Sequence, residues 1–211
     1  MIKNLNIANR ITLLRVVFIP VFLVVLLGDP PGELVPPDWW RLAQPWIAAG
    51  IFIALALTDA VDGYLARSRN EVTTFGKFID PLADKLLVIA ALVALVDLER
   101  LPSWVALVII SRELVVSGLR MVAIAEGRVI AASGYGKIKT WLQSVAIVAF
   151  LLKGSTTLNE MLGPTGQSVF EAVAWVLMAA AVVMTVLSML DYFYHARHIL
   201  TGPWERDGQA D

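Results

Sequence analysis

The 211 residues are 58% hydrophobic and 17% charged, with a mean hydropathy of +0.71, more apolar surface than a water-soluble core of this size can hide. A net charge of −1 leaves no excess of basic residues for a phosphate backbone, so no nucleic-acid partner is expected. With no cysteine in the chain, disulfides, thiolate nucleophiles and zinc–sulfur sites are excluded.

Lys3, Arg10 and Arg15 precede an apolar run from Val16 to Leu27 that has the length of a signal-peptide core. The run exits into Gly28-Asp29-Pro30-Pro31 without a small-x-small cleavage site, and more apolar segments follow. It therefore reads as a first membrane helix, Ile7–Leu27, whose start is amphipathic at Asn9, Thr12 and Arg15. Further apolar stretches cover Pro45–Ala66, Phe75–Leu98, Ser103–Glu126, Tyr135–Lys153 and Gln167–His198. Each can cross a hydrocarbon core that needs about 20 helical residues. Prolines 30, 31, 36, 37 and 102 separate them, as does Gly163-Pro164-Thr165-Gly166, and Met161 to Gly166 reads as a loop. The expected fold is all-α: one polytopic membrane domain of six transmembrane helices over residues 1–200, with a short cytoplasmic tail at 201–211.

Placing the N-terminus inside leaves only Arg41, Arg100 and Lys153, of the 17 Lys and Arg residues, on the outer side. The positive-inside rule then predicts both termini in the cytoplasm. Trp39, Trp40, Trp46 and Trp104 gather near the outer helix ends, as interfacial anchors do.

The chemistry concentrates at the inner ends of the second and third helices. Asp59 and Asp62 are spaced i, i+3, and Asp80 and Asp84 are spaced i, i+4, so each pair falls on one helical face. A short connection around Arg69–Thr74 makes the two helices antiparallel neighbours whose carboxylates can meet. Read singly, each aspartate also fits a solvated rim, paired with Arg67, Lys77 or Lys85. Four carboxylates at membrane depth cost several kcal/mol or more unless neutralised, and such residues generally mark functional sites. Two divalent cations balance them formally, and hard oxygen donors suit Mg²⁺ or Mn²⁺. A two-metal centre clamps the attacking and leaving oxygens of phosphoryl transfer. Gly63 and Gly76 leave room for a large ligand beside the helix backbones, and Arg67 suits its phosphate.

Asp59, Asp62, Gly63, Ala66, Arg67, Gly76, Asp80 and Asp84 match at every position the pattern D-x2-D-G-x2-A-R-x8-G-x3-D-x3-D. In this the chain resembles the CDP-alcohol phosphotransferase family. The resemblance implies a six-helix membrane fold, usually homodimeric, with a polar cavity open to the cytoplasm. It implies that Asp59, Asp62 and Asp80 are metal ligands, and that Asp84, also at the metal centre, is the catalytic base. Gly63, Ala66, Arg67 and Gly76 would line the CDP site of a CDP-diacylglycerol donor, with Asn9 and Thr12 of a similar N-terminal run beside it.

The acceptor is addressed by the second half. Ser111-Arg112-Glu113 lies within the fourth helix, with Arg120 two turns later, and Gly136-Lys137-Ile-Lys139-Thr140 with Gln143 opens the fifth. Arg112, Arg120, Lys137 and Lys139 fall on the aspartates' side of the membrane and suit an anionic acceptor such as a phosphate monoester. Basic residues at inner helix ends also follow from topology alone, and Arg112 also has Glu113 within its own helix as an available partner. Both stretches resemble those of the branch of the family whose acceptor is glycerol 3-phosphate. Sister enzymes that use inositol phosphate or phosphatidylglycerol share the aspartates. The expectation is an enzyme of the cytoplasmic (inner) membrane that transfers a phosphatidyl group from CDP-diacylglycerol to glycerol 3-phosphate, releasing CMP by direct displacement. A cation-coupled transporter using intramembrane carboxylates is the rival reading, but such sites lie near the midplane between repeats, and neither feature is seen here. A non-catalytic lipid-binding scaffold would have little need for four aspartates. His195 and His198 read as a favourable interaction with a helix C-terminus rather than as metal ligands.

Overall fold

The computed structural model describes the backbone of residues 7–28, 37–69, 74–125 and 134–200, and side chains over 14–28, 37–58, 85–121 and 138–194. Among the described residues every regular element is a helix: α1 (Ile7–Leu27), α2 (Asp38–Arg69), α3 (Thr74–Asp97), α4 (Ser103–Ala125), α5 (Gly134–Leu152) and α6 (Thr156–Leu200). Two stretches within them, Asp38–Thr58 and Thr156–Tyr194, are long and apolar enough to cross a membrane.

Small residues let the helices approach closely. Ala48, Ala49, Ala91, Ala94, Ala146, Ala174 and Ala181 are all buried, and larger side chains fill the spaces beside them. Phe22 and Phe52 tie α1 to α2, their rings 6.1 Å apart. The most extensive neighbours are α5 with α6 and α1 with α2 and α3; α4 lies on α3 and α6. Outside this core the large side chains remain apolar: Leu107, Trp141 and Val176 are each more than 60% exposed.

One end of the bundle is closed by caps. The last carbonyls of a helix have no partner within it, and here a side chain from the next helix supplies one. Gln44 Nε2 donates to the carbonyls of Val25, Leu26 and Gly28 at 3.0, 3.1 and 3.3 Å. Gly28 is needed at this turn, because a Cβ would sit 2.3 Å from the Val24 carbonyl oxygen. Between α3 and α4 the chain reverses through Glu99 at φ 56°, and Arg100 Nη1 donates to the Leu151 carbonyl at the end of α5 (3.0 Å). The Arg100 guanidinium occupies the space beside Gly154, where a Cβ would lie 2.0 Å from Cζ. Burial holds the Arg100 pKa below the usual arginine value. Buried Ser155 caps α6 by accepting from the Leu158 amide at 3.2 Å. Lys153 lies 5.6 Å and 5.3 Å from the ring centroids of Phe150 and Trp175.

Two boundaries differ from the sequence reading. α2 begins at Asp38 instead of Pro45, with Pro45 carried inside the helix. Residues Met161 to Gly166, read above as a loop, continue α6 instead. The helix breaks at one residue, Gly163 (φ 65°, ψ 177°), and restarts at Pro164. Glycine takes the left-handed conformation at no steric cost, and proline needs no amide donor at a helix start, so the pair kinks the rod without opening a loop.

Candidate active site

Asp59 and Asp62 lie on the unbroken course of α2, and Asp80 and Asp84 on that of α3. α2 packs on α3, and only residues 70–73 separate their ends. The donor set is hard oxygen throughout and fits Mg²⁺ or Mn²⁺. The side chains of all four aspartates lie outside the described residues, as do those of Asn9, Thr12, Arg67 and Lys137 and the surroundings of Gly63, Ala66 and Gly76.

Of the residues read above as acceptor ligands, more lie within the described side chains. Arg112, near the middle of α4, and Lys139, in the second turn of α5, meet at one carboxylate. Arg112 Nη1 is 3.3 Å from Glu113 Oε1, and Lys139 Nζ is ion-paired to the same oxygen. Lys139 is 1% exposed, which accounts for the pairing: a buried ammonium without a counter-charge is strongly disfavoured. Arg112 turns its other terminal nitrogen to α6, where Nη2 donates to Ser188 Oγ at 2.6 Å. Ser117 donates its hydroxyl to the Glu113 carbonyl one turn on.

Further charges surround this knot. Arg120 and Tyr192 act electrostatically on Arg112, and Lys85 acts on Lys139. Lys85 directly follows Asp84 along α3, so the basic cluster lies near the stretch of helix that carries the last residue of the aspartate signature. Glu113 is the carboxylate shared by two of these cations, Arg112 and Lys139. Three buried polar atoms here, Arg112 Nε, Gln143 Oε1 and Tyr192 Oη, have no hydrogen-bond partner among the described residues. Buried polar groups are usually satisfied, so each of the three is open to a partner beyond the described residues or to a bound polar ligand.

Of the four residues read as acceptor ligands, the structure thus brings Arg112, Arg120 and Lys139 together. Sequence reasoning named Glu113 only as an available neighbour for Arg112, and the Lys139 pairing was not anticipated. Ser188 and Tyr192 were missed, because neither belongs to a motif and both reach the site only through the packing of α6 on α4.

A helical bundle with the aspartate signature along α2 and α3 and a cluster of basic residues on α4 and α5 defines a class. The chain matches the CDP-alcohol phosphatidyltransferase family over residues 5–192, nearly its whole length, and belongs to that family. Within the family it is similar to the CDP-diacylglycerol–glycerol-3-phosphate 3-phosphatidyltransferase of Bacillus subtilis, at 48% identity over 70% of this chain and 77% of the relative. It is 40% identical to a probable phosphatidylglycerophosphate synthase of Mycobacterium tuberculosis, over 93% of this chain and 84% of that one. The corresponding 3-phosphatidyltransferase of Haemophilus influenzae is 34% identical, over 91% and 94% of the two chains.

Proposed function

We propose that the chain transfers a phosphatidyl group from CDP-diacylglycerol to glycerol 3-phosphate, giving phosphatidylglycerol phosphate and CMP. The observation that carries this reading is the Arg112–Glu113–Lys139 cluster, buried between α4 and α5, with Lys85, the residue after Asp84 on α3, near enough to act on Lys139. It supports an anion-binding site near the aspartate signature, as an acceptor carrying its own phosphate requires. The relatives bear the name of the same reaction.

Asp59, Asp62, Asp80 and Asp84 would hold two Mg²⁺ or Mn²⁺ ions, which when bound neutralise the donor pyrophosphate and the charge that develops on departing CMP. Arg67 pairs with the donor phosphate, with Gly63, Ala66, Gly76, Asn9 and Thr12 around the CDP moiety. Arg112, Arg120, Lys137 and Lys139 draw in the acceptor by its phosphate. Its hydroxyl oxygen then forms a bond to the phosphorus that carries diacylglycerol, the bond from that phosphorus to the CMP oxygen breaks, and the hydroxyl proton passes to Asp84. Positioning and charge complementarity provide most of the acceleration. The outward-facing Leu107, Trp141 and Val176 support a bundle solvated by lipid. In this reading all six helices cross the cytoplasmic membrane, both termini and the site face the cytoplasm, and the working unit is a homodimer.

Purified protein given CDP-diacylglycerol, Mg²⁺ and a panel of acceptors tests the assignment through CMP release. Glycerol 3-phosphate should be turned over far faster than inositol phosphate or phosphatidylglycerol; a preference for either of those would overturn the acceptor. The displacement should invert configuration at a chiral phosphorothioate donor, and retention would point to a covalent phosphatidyl-enzyme. Because the chain has no cysteine, single cysteines placed at residues 3 and 206 give background-free labelling. Both should resist a membrane-impermeant reagent in intact cells.

A further inference from the structure

Within α4, Glu113 alone offers Arg112 a charged partner, and it is shared with Lys139. A guanidinium on a long, flexible stem needs a second fixed point before its plane is set. That point comes from α6. Ser188 is 76 residues away in sequence and 2% exposed, and its Oγ takes the Nη2 proton at 2.6 Å. One turn on, Tyr192 packs on Val116 and Leu119 of α4, so the same face of α6 follows α4 past the cluster. With Nη1 on Glu113 and Nη2 on Ser188, the buried Nε–H still lacks a partner among the described residues.

We infer that Ser188 is a positioning residue for acceptor recognition: it fixes the Arg112 guanidinium so that its uncommitted N–H groups face the acceptor phosphate, making α6 a wall of the acceptor pocket. Ser188 acts through Arg112 and does not touch the acceptor. The inference rests on the reading of Arg112 as a ligand of the acceptor phosphate.

The test is steady-state kinetics on the full-length protein with CDP-diacylglycerol and glycerol 3-phosphate. Ser188→Ala should raise the acceptor KM about five- to tenfold, the scale of one lost hydrogen bond, with the donor KM and the kcat at saturating acceptor unchanged. Ser188→Thr, which keeps the hydroxyl, should restore the acceptor KM to within about twofold. Thr185 controls for loosening of α6: it is fully buried three residues earlier, and its hydroxyl donates to the Ala181 carbonyl at 2.6 Å. Thr185→Ala should leave the acceptor KM alone. In an Arg112→Leu background, adding Ser188→Ala should change nothing further, because the group it positions is gone. An unchanged acceptor KM in Ser188→Ala, an equal rise in Thr185→Ala, or a full additive loss in the double variant would each overturn the inference. If Arg112→Leu itself leaves the acceptor KM unchanged, the reading beneath it fails instead, whatever Ser188 does.

Discussion

At the capped end of the bundle, Arg100 and Gln44 donate to backbone carbonyls at the ends of α5 and α1. At the opposite end, Arg112 and Lys139 share one carboxylate, and Arg112 leans on a serine from a third helix. Both ends carry buried polar atoms without partners among the described residues, so that feature alone does not separate them. The partners do. A backbone carbonyl cannot leave its helix, so a cation spent on it is committed to structure. A carboxylate or hydroxyl on a side chain can exchange partners, so cations held that way can turn to a ligand. The comparison predicts that substitutions at the basic end change turnover or acceptor binding, and that those at the capped end change stability alone.

The largest effects should fall on the aspartates beside the basic end. Asp59→Asn, Asp62→Asn and Asp80→Asn should each cut CMP release by about 10²-fold or more, the usual scale for losing one key electrostatic element, while helical content by circular dichroism is unchanged. Chelator should silence the parent protein, and Mg²⁺ or Mn²⁺ should restore it. Residual activity above about a tenth in any of the three would contradict a ligand role. Asp84→Asn should be as inactive yet still bind the donor in the presence of metal.

Next in size is the shared carboxylate. Glu113→Gln leaves the buried Lys139 ammonium without its counter-charge, at a cost of about 3 kcal/mol. Thermal unfolding in detergent should show a lower midpoint. Adding Lys139→Met should recover part of it, since removing both charges is far milder than removing one. A double variant less stable than Glu113→Gln would mean that the pair does not bear on stability in this way.

Smaller again is Gly154→Ala at the capped end. The new methyl displaces the Arg100 guanidinium from the Leu151 carbonyl, costing about 1–3 kcal/mol in stability. Both KM values and kcat of the folded protein should be unchanged, and a shifted acceptor KM would erase the distinction between the two ends. Smallest is Gln44→Ala, which removes a cap worth about 1 kcal/mol and should leave kinetics untouched.

Much of this arrangement was legible in the sequence, for physical reasons that differ by region. α1 matches the apolar run at both ends, and α3, α4 and α5 fall within a residue or two of theirs, because long apolar segments bounded by breakers leave little choice of conformation. The start of α2 was hidden because Asp38-Trp39-Trp40-Arg41 looks interfacial by composition, although nothing in it opposes a helix. At Gly163-Pro164 the breaker signal was real, but it broke the helix for one residue instead of six. Arg112, Arg120 and Lys139 were nameable because their charge is out of place in an apolar helix. Ser188 and Tyr192 carry no such mark. A serine or tyrosine late in a long apolar helix is unremarkable until tertiary packing sets it against an arginine.

The Gln44 cap bears on the order in which the chain can be assembled. The closing carbonyls of α1 find their donor 16 to 19 residues later, in α2. Until that segment has emerged from the ribosome, the end of α1 must find other partners for these carbonyls, water first among them. On the proposed reading that both helices cross the membrane, the α1–α2 pair would be the smallest piece of this chain to enter lipid with that end satisfied from within, the Gln44 amide supplying the donor and the Phe22–Phe52 contact the packing.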